Sequence, residues 1–283
     1  MFSMQRKNTN NLLIRPSSVA GTFYPEDPEE LKKTIQGLLS KVTTKEKQKN
    51  LRSLILPHAG YIYSGQIAAY GYKTIKPDTF NRVILLGPSH HFSFKGLAAT
   101  PESFWETPLG KVKIIAKDKF AKIKKEKNIV ESIEFHRPEH CLEVQLPFLQ
   151  MTLSNFELFP LLIGEIDTSI AADILMPIIN KKTLLIVSSD LSHYMPYSQA
   201  KIADKATIDS ILKNDIEQFN EYGNACGKKP IEILLEIVKR KKWNSKLLCA
   251  MNSGETVGGI CLPQKNDQAE NQVVGYASIM FYE

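Results

Sequence analysis

Thr183-Leu184-Leu185-Ile186-Val187-Ser188-Ser189-Asp190-Leu191-Ser192-His193 is the stretch that decides the fold. Its apolar run is short and holds β-branched residues, so 183–187 reads as a strand, and the amphipathic stretch 197–213 follows it as a helix. Outward from here the pattern repeats. Ser53–Leu56 precedes helix-like 65–75, Arg82–Leu86 is another apolar run, and Leu158–Ile163 precedes 168–179. Strand then helix, repeated, predicts an α/β fold with a mostly parallel central sheet and helices on both faces. Upstream, Leu31, Ile35, Leu38 and Leu39 share one face of a helix over 28–42, and Lys45–Asn50 reads as a solvated linker. Gln272–Tyr282 has the content of a late strand and follows a polar loop, Gln264–Asn271. No linker separates two complete cores, so 1–16 is expected to be a flexible lead and 17–283 a single domain.

Composition narrows the function classes. With 283 residues, 43% apolar and 23% charged, the chain can bury a large core, which excludes disorder and a collagen-like rod. The net charge of +6 comes from dispersed lysines with no basic stripe or interleaved aromatics, so no nucleic-acid partner is expected. No segment approaches the ~20 apolar residues of a membrane span, and the amino-terminal residues lack a signal peptide's apolar region. The four cysteines, Cys141, Cys226, Cys249 and Cys261, have no short regular spacing. A cytoplasmic protein without a disulfide framework is the expectation.

The histidines carry the functional signal. Leu54-Ile55-Leu56-Pro57 runs into His58, Val83-Ile84-Leu85-Leu86-Gly87-Pro88-Ser89 into His90 and His91, and the 184–189 run into Asp190 and His193. Carboxyl ends of parallel strands line one rim, where α/β folds bind ligands. Cys226 precedes a helix and is followed by Lys228 and Lys229, so dipole and charge are expected to favour its thiolate. Cys249, in an apolar run, reads as a small buried hydrophobe. His140 and Glu143 stand three apart and would share a helix face, either to bind or orient a ligand or merely to pack. His136 has only a loop reading.

Two imidazoles with a thiolate or carboxylate suit a transition metal with open positions better than they suit a hydrolytic triad. Gly87-Pro88-Ser89-His90-His91 lacks the last glycine of a nucleophile elbow, and Ser188 or Ser189 with Asp190 and His193 is crowded for a triad. Asp190 and His193 are expected to act as acid/base or orienting groups. Both lie beyond the strand end, so replacing either is expected to cost little stability.

Ala20-Gly21-Thr22-Phe23-Tyr24-Pro25, Pro57-His58-Ala59-Gly60-Tyr61 with Tyr63-Ser64-Gly65, Gly87-Pro88-Ser89-His90-His91, Thr107-Pro108-Leu109-Gly110, Glu139-His140 with Glu143, Ser188-Ser189-Asp190-Leu191-Ser192-His193, Cys226-Gly227 and Gly275-Tyr276-Ala277 together resemble the Memo family, in order over nearly the whole chain. That resemblance implies a fold like that of class III extradiol dioxygenases, whose iron is held by two histidines and a glutamate. It assigns His58, His90 and Cys226 to the metal, iron or copper with zinc as a further option. Asp190 and His193 take catalytic positions, with Phe23, Tyr63, His91 and His140 around the pocket. Cys226 stands where the dioxygenases place their carboxylate, which argues against ordinary catechol cleavage. The resemblance is to the prokaryotic AmmeMemoRadiSam type, which implies AMMECR-type and radical-SAM proteins as partners. Two functions follow: a redox-active metalloenzyme using oxygen on an unidentified small molecule, or a module binding a peptide or protein in a dioxygenase-like pocket.

Overall fold

The computed structural model describes residues 13–43, 50–123, 125–257, 260–261 and 272–283. The chain opens with β1 (Ile14–Arg15), α1 (Pro28–Ser40), β2 (Leu51–Leu56), α2 (Tyr61–Tyr72) and β3 (Arg82–Pro88). Short pieces follow: β4 (Leu97–Ala99), β5 (Phe104–Thr107), β6 (Gly110–Ile114), β7 (Ile129–Glu131), α3 (Ile133–His136) and α4 (Leu146–Thr152). The second half holds β8 (Glu157–Ile163), α5 (Thr168–Leu175), β9 (Thr183–Ser188), β10 (Met195–Pro196), α6 (Tyr197–Lys213), α7 (Ile216–Tyr222) and α8 (Lys228–Lys241). It closes with β11 (Asn244–Asn252), β12 (Thr256–Val257), β13 (Ile260–Cys261), β14 (Gln272–Val273) and β15 (Gly275–Tyr282).

The main sheet runs β1-β5-β6-β8-β3-β9-β2-β15-β11. Its centre is parallel, β8 with β3, β3 with β9 and β9 with β2, while β15 and β11 add an antiparallel side. Side chains alternate between two cores, as the strand period demands. Ile55, Ile84, Leu86, Leu185 and Val187 pack with α5, α6, α7 and α8 on one face; Leu54, Leu56, Val83, Leu85, Leu184 and Ile186 pack with α1, α2 and α4 on the other. The expected α/β sandwich is therefore present as one domain.

Several boundaries differ from the sequence reading, each for a local reason. The first helix stops at Ser40, after Asp27 caps its start and Leu31, Ile35 and Leu38 bury its apolar face. The helix expected at 65–75 begins at Tyr61, and it is buried on most sides, so no polar stripe marks its start. The 168–179 helix tightens into a 3₁₀ turn at Met176–Ile178, which contains Pro177. The late strand is interrupted at Val274. The 264–271 loop and all of the 45–50 linker except Asn50 lie outside the described residues.

Residues 1–12 of the expected flexible lead also lie outside them, but its end is not loose. Ile14–Arg15 pairs in parallel with β5, and Arg15 is 1% exposed. The Arg15 guanidinium donates to the carbonyls of His136 and Glu139 at 3.0 and 2.8 Å and pairs with the buried Glu143 carboxylate. It also lies over the Trp105 ring, 4.5 Å from the centroid. No helix among the described residues is long and apolar enough to cross a membrane.

Candidate metal centre

β9 lies between β2 and β3, so the polar ends of these three strands arrive side by side. Past β2, the amide of His58 donates to Asp190 Oδ1 at 2.7 Å, and the amide of Ser189 donates to Leu56 O at 2.8 Å. These bonds tie the two strand ends together and turn the buried His58 ring inward. Its Nδ1 lies 3.0 Å from Ser188 Oγ and its Nε2 lies 3.2 Å from Cys226 Sγ.

Past β3, His90 is held by one carboxylate. Glu139 accepts from the His90 amide at 2.7 Å and sits 2.9 Å from His90 Nδ1, while also accepting the amides of His140 and Cys141. The His140 ring stacks on His90 with centroids 5.0 Å apart and meets His58 edge-on at 5.5 Å. Ring nitrogens of His58, His90 and His140 all lie within 4.8 Å of one another. The sequence left His140 between a pocket or ligand-binding role and mere packing, and it joins the imidazole cluster. His90, Glu139 and Cys141 form a second close group, but the fully buried Cys141 thiol donates to Pro88 O and burial holds its pKa well above the usual thiol value. The three-imidazole group is the better cation site.

Cys226 reaches the cluster from the start of α8. Its amide donates to Asp190 O at 3.3 Å, its Sγ accepts the Asp190 amide at 3.2 Å, and Gly227 N donates to Ser189 Oγ at 2.9 Å. A Cβ on Gly227 would stand 2.6 Å from Ser189 Cβ, so the approach requires glycine. The expected thiolate is not what results. Burial, and then the Asp190 carboxylate, push the Cys226 thiol up to about 12. The lysines that were to lower it turn away, Lys228 to Asn220 O and Lys229 to Glu232.

Burial and charge shape the remaining groups. Burial, then the charges of His140 and His90, hold the His58 pKa well below its ordinary value, which keeps the ring neutral. Burial is the largest influence on His90 and would lower it too, but the bond to Glu139 together with the Glu139 and Asp190 charges outweighs this and raises it. Glu139 would be raised by burial, yet the His90 bond and the amides hold it far below the carboxylate range. Asp190 is 4% exposed and burial lifts it to about 7 against the His58 and Ala59 amides. This corrects the picture of Asp190 as a peripheral rim residue.

His193 is half-buried, with Nδ1 2.8 Å from Leu191 O, and burial lowers its pKa. Phe23 packs on His140 at 4.7 Å between centroids, whereas Tyr63 and His91 are exposed. Glu143 does not face His140. It accepts from the Ser18 and Val19 amides and the Tyr24 hydroxyl beside Arg15, so it anchors the 18–24 segment. His136 ends a helix instead of lying in a loop, and its buried ring lies 3.0 Å from Ala98 O. Cys249 is half-buried on β11, less enclosed than expected. Sequence reasoning missed Glu139 and Gln145 as site residues and weighed Ser188 only as a triad nucleophile; for Glu139 an acid beside His140 was the available signal.

A family model described as Memo-like protein matches residues 15–280. A MEMO1 family protein of Thermoplasma volcanium is 34% identical over 278 residues, covering 95% of this chain and 98% of its own. Another, from Aquifex aeolicus, is 34% identical over 280 residues, covering 95% and 99%. One from Methanosarcina barkeri is 33% identical over 282 residues, covering 94% and 99%. An uncharacterized protein from Escherichia coli K12 superposes with a TM-score of 0.47 at 9% identity, over 80% of this chain and 99% of that one.

Proposed function

This chain belongs to the Memo-like protein family, and from that premise we propose a mononuclear iron or copper centre held by His58, His90 and Cys226, with His140 beside it, acting with oxygen on a small organic molecule. One observation carries the reading: three imidazole rings present nitrogens within 4.8 Å of one another, and a thiol lies 3.2 Å from one of them. Imidazole and a thiol that would give up its proton to a bound metal together suit iron, copper or zinc and disfavour magnesium or calcium. When bound, iron or copper supplies redox chemistry toward oxygen.

The chain's own residues do the rest. Glu139 fixes the His90 ring, and its oxygen lies 3.4 Å from His140 Nδ1. Asp190 clamps His58 through its amide, and with His193 is proposed to hold or pass protons beside the imidazole cluster. Phe23 packs its ring against the His140 side of the cluster. AMMECR-type and radical-SAM proteins are retained as proposed partners, and the cytoplasm as the proposed compartment.

A second reading, peptide recognition without catalysis, is favoured by Tyr63 and Tyr194, which are 46% and 71% exposed near the strand ends. Protein purified without an affinity tag and titrated with ferrous iron, cuprous copper or zinc tests the first reading. One metal per chain is expected. His58→Ala and His90→Ala should each lose more than the roughly 10–100-fold that removing an orienting partner costs. Full retention of metal by both variants overturns the centre, and peptide binding insensitive to chelator would favour the second reading.

A further inference from the structure

His58 can serve a metal only through a ring nitrogen that carries a lone pair. Neutral imidazole has one such nitrogen, and the partners of the other decide which it is. Two backbone carbonyls, which can only accept, settle the matter for His58.

Gln145 Nε2 lies 2.9 Å from Pro57 O, so that end of the side chain must be the amide nitrogen. Its other end, Oε1, then accepts from the Tyr72 hydroxyl at 2.7 Å. The same Nε2 donates to Ser188 Oγ at 2.8 Å. Ser188 has a single proton, and Cys141 O at 2.6 Å is an acceptor only, so the proton goes there. The lone pairs of Ser188 Oγ face Gln145 and His58, and His58 Nδ1, 3.0 Å away, must donate. Ser188, Gln145 and Tyr72 are all buried, so water does not offer alternatives.

The geometry points to Ser188, ordered by Gln145 and Tyr72, as the positioning residue that sets the His58 tautomer, holding the proton on Nδ1 and leaving Nε2 bare toward Cys226 and the imidazole cluster. Free histidine favours the opposite tautomer, with the proton on Nε2, which would block that face. Ser188 itself touches no metal. The inference rests on the proposed centre only for its purpose, because the tautomer is a property of the metal-free chain.

Nitrogen-15 imidazole spectra of the metal-free full chain at neutral pH test it. The native protein should show a protonated Nδ1 and an unprotonated Nε2 at His58. In Ser188→Ala, His58 should shift toward the Nε2-protonated form, while His90, whose Nδ1 is held by Glu139, keeps its signal. Affinity for added zinc should fall by roughly 10–100-fold in that variant. A native His58 protonated on Nε2 overturns the inference without any variant having to fold. So does an unchanged His58 signal in Ser188→Ala. Should the native chain show the Nδ1 proton yet bind no metal, the proposed centre fails while the tautomer assignment stands.

Discussion

Asp190 shows how burial redirects the role of a residue. Its carboxylate is enclosed and accepts the His58 amide, so Asp190→Ala would leave buried donors unpaired, which costs about 1–3 kcal/mol. Asp190→Asn keeps the accepting oxygen and removes a buried carboxyl that burial already pushes toward neutrality. Chemical denaturation should therefore find Ala destabilised and Asn close to native; equal losses would mean that the amide contact contributes nothing. Cys226 follows the same logic. From sequence, two lysines and a helix start argued for a thiolate, but whether those charges point at the sulfur depends on Asn220 and Glu232. Chain order alone does not carry that information.

At the scale of elements, the legible parts were those with a strong period. The strands ending in His58, His90 and Asp190 alternate between two cores, and α6 falls on 197–213 as read. Elements β4 to β7 were not legible, because runs of three to five residues carry too few positions to establish a period. The start of α8 makes a testable case. Gly227 lets that helix approach the end of β9, and Gly227→Ala would place a methyl 2.7 Å from Ser189 Oγ. Overpacking there should cost about 1–3 kcal/mol. It should also weaken metal binding, although no ligand is removed, because Cys226 moves with the helix. An unaltered Tm and an unaltered metal affinity would show that the contact yields freely.

At the scale of the whole molecule, buried histidines make stability depend on acid. Burial holds His136 at about 4, against 6.5 for an ordinary histidine. A lowered pKa means that the unfolded chain takes up the proton first. Stability is thus full above pH 6.5 and drains as pH falls to 4, by about 3 kcal/mol for this group. His58, His140 and His193 are lowered as well and act in the same direction, while the raised His90, Asp190 and Asp204 take up protons first in the folded chain and oppose them. Burial would raise Glu143, but Arg15, Tyr24 and the Ser18 and Val19 amides hold it low, so its contribution persists above the carboxylate range and is lost on further acidification. Urea midpoints measured from pH 7.5 to 4 should show the native chain losing more stability on acidification than His136→Gln does. Identical pH profiles for the native chain and His136→Gln would refute the account. The partnership of Arg15 with Glu143, 128 positions away, was not visible in the sequence, since nothing local marks either residue as half of a pair. It has a practical consequence for anyone handling the protein. Arg15 works as a tie-rod, bracing through Glu139 O the same segment that aims His90 and His140. A protease that clips just beyond it would remove only a sliver of mass, yet would strand Glu143 without its cation at a cost of about 3–5 kcal/mol, so a preparation trimmed at its beginning can look whole on a gel and be slack where it matters.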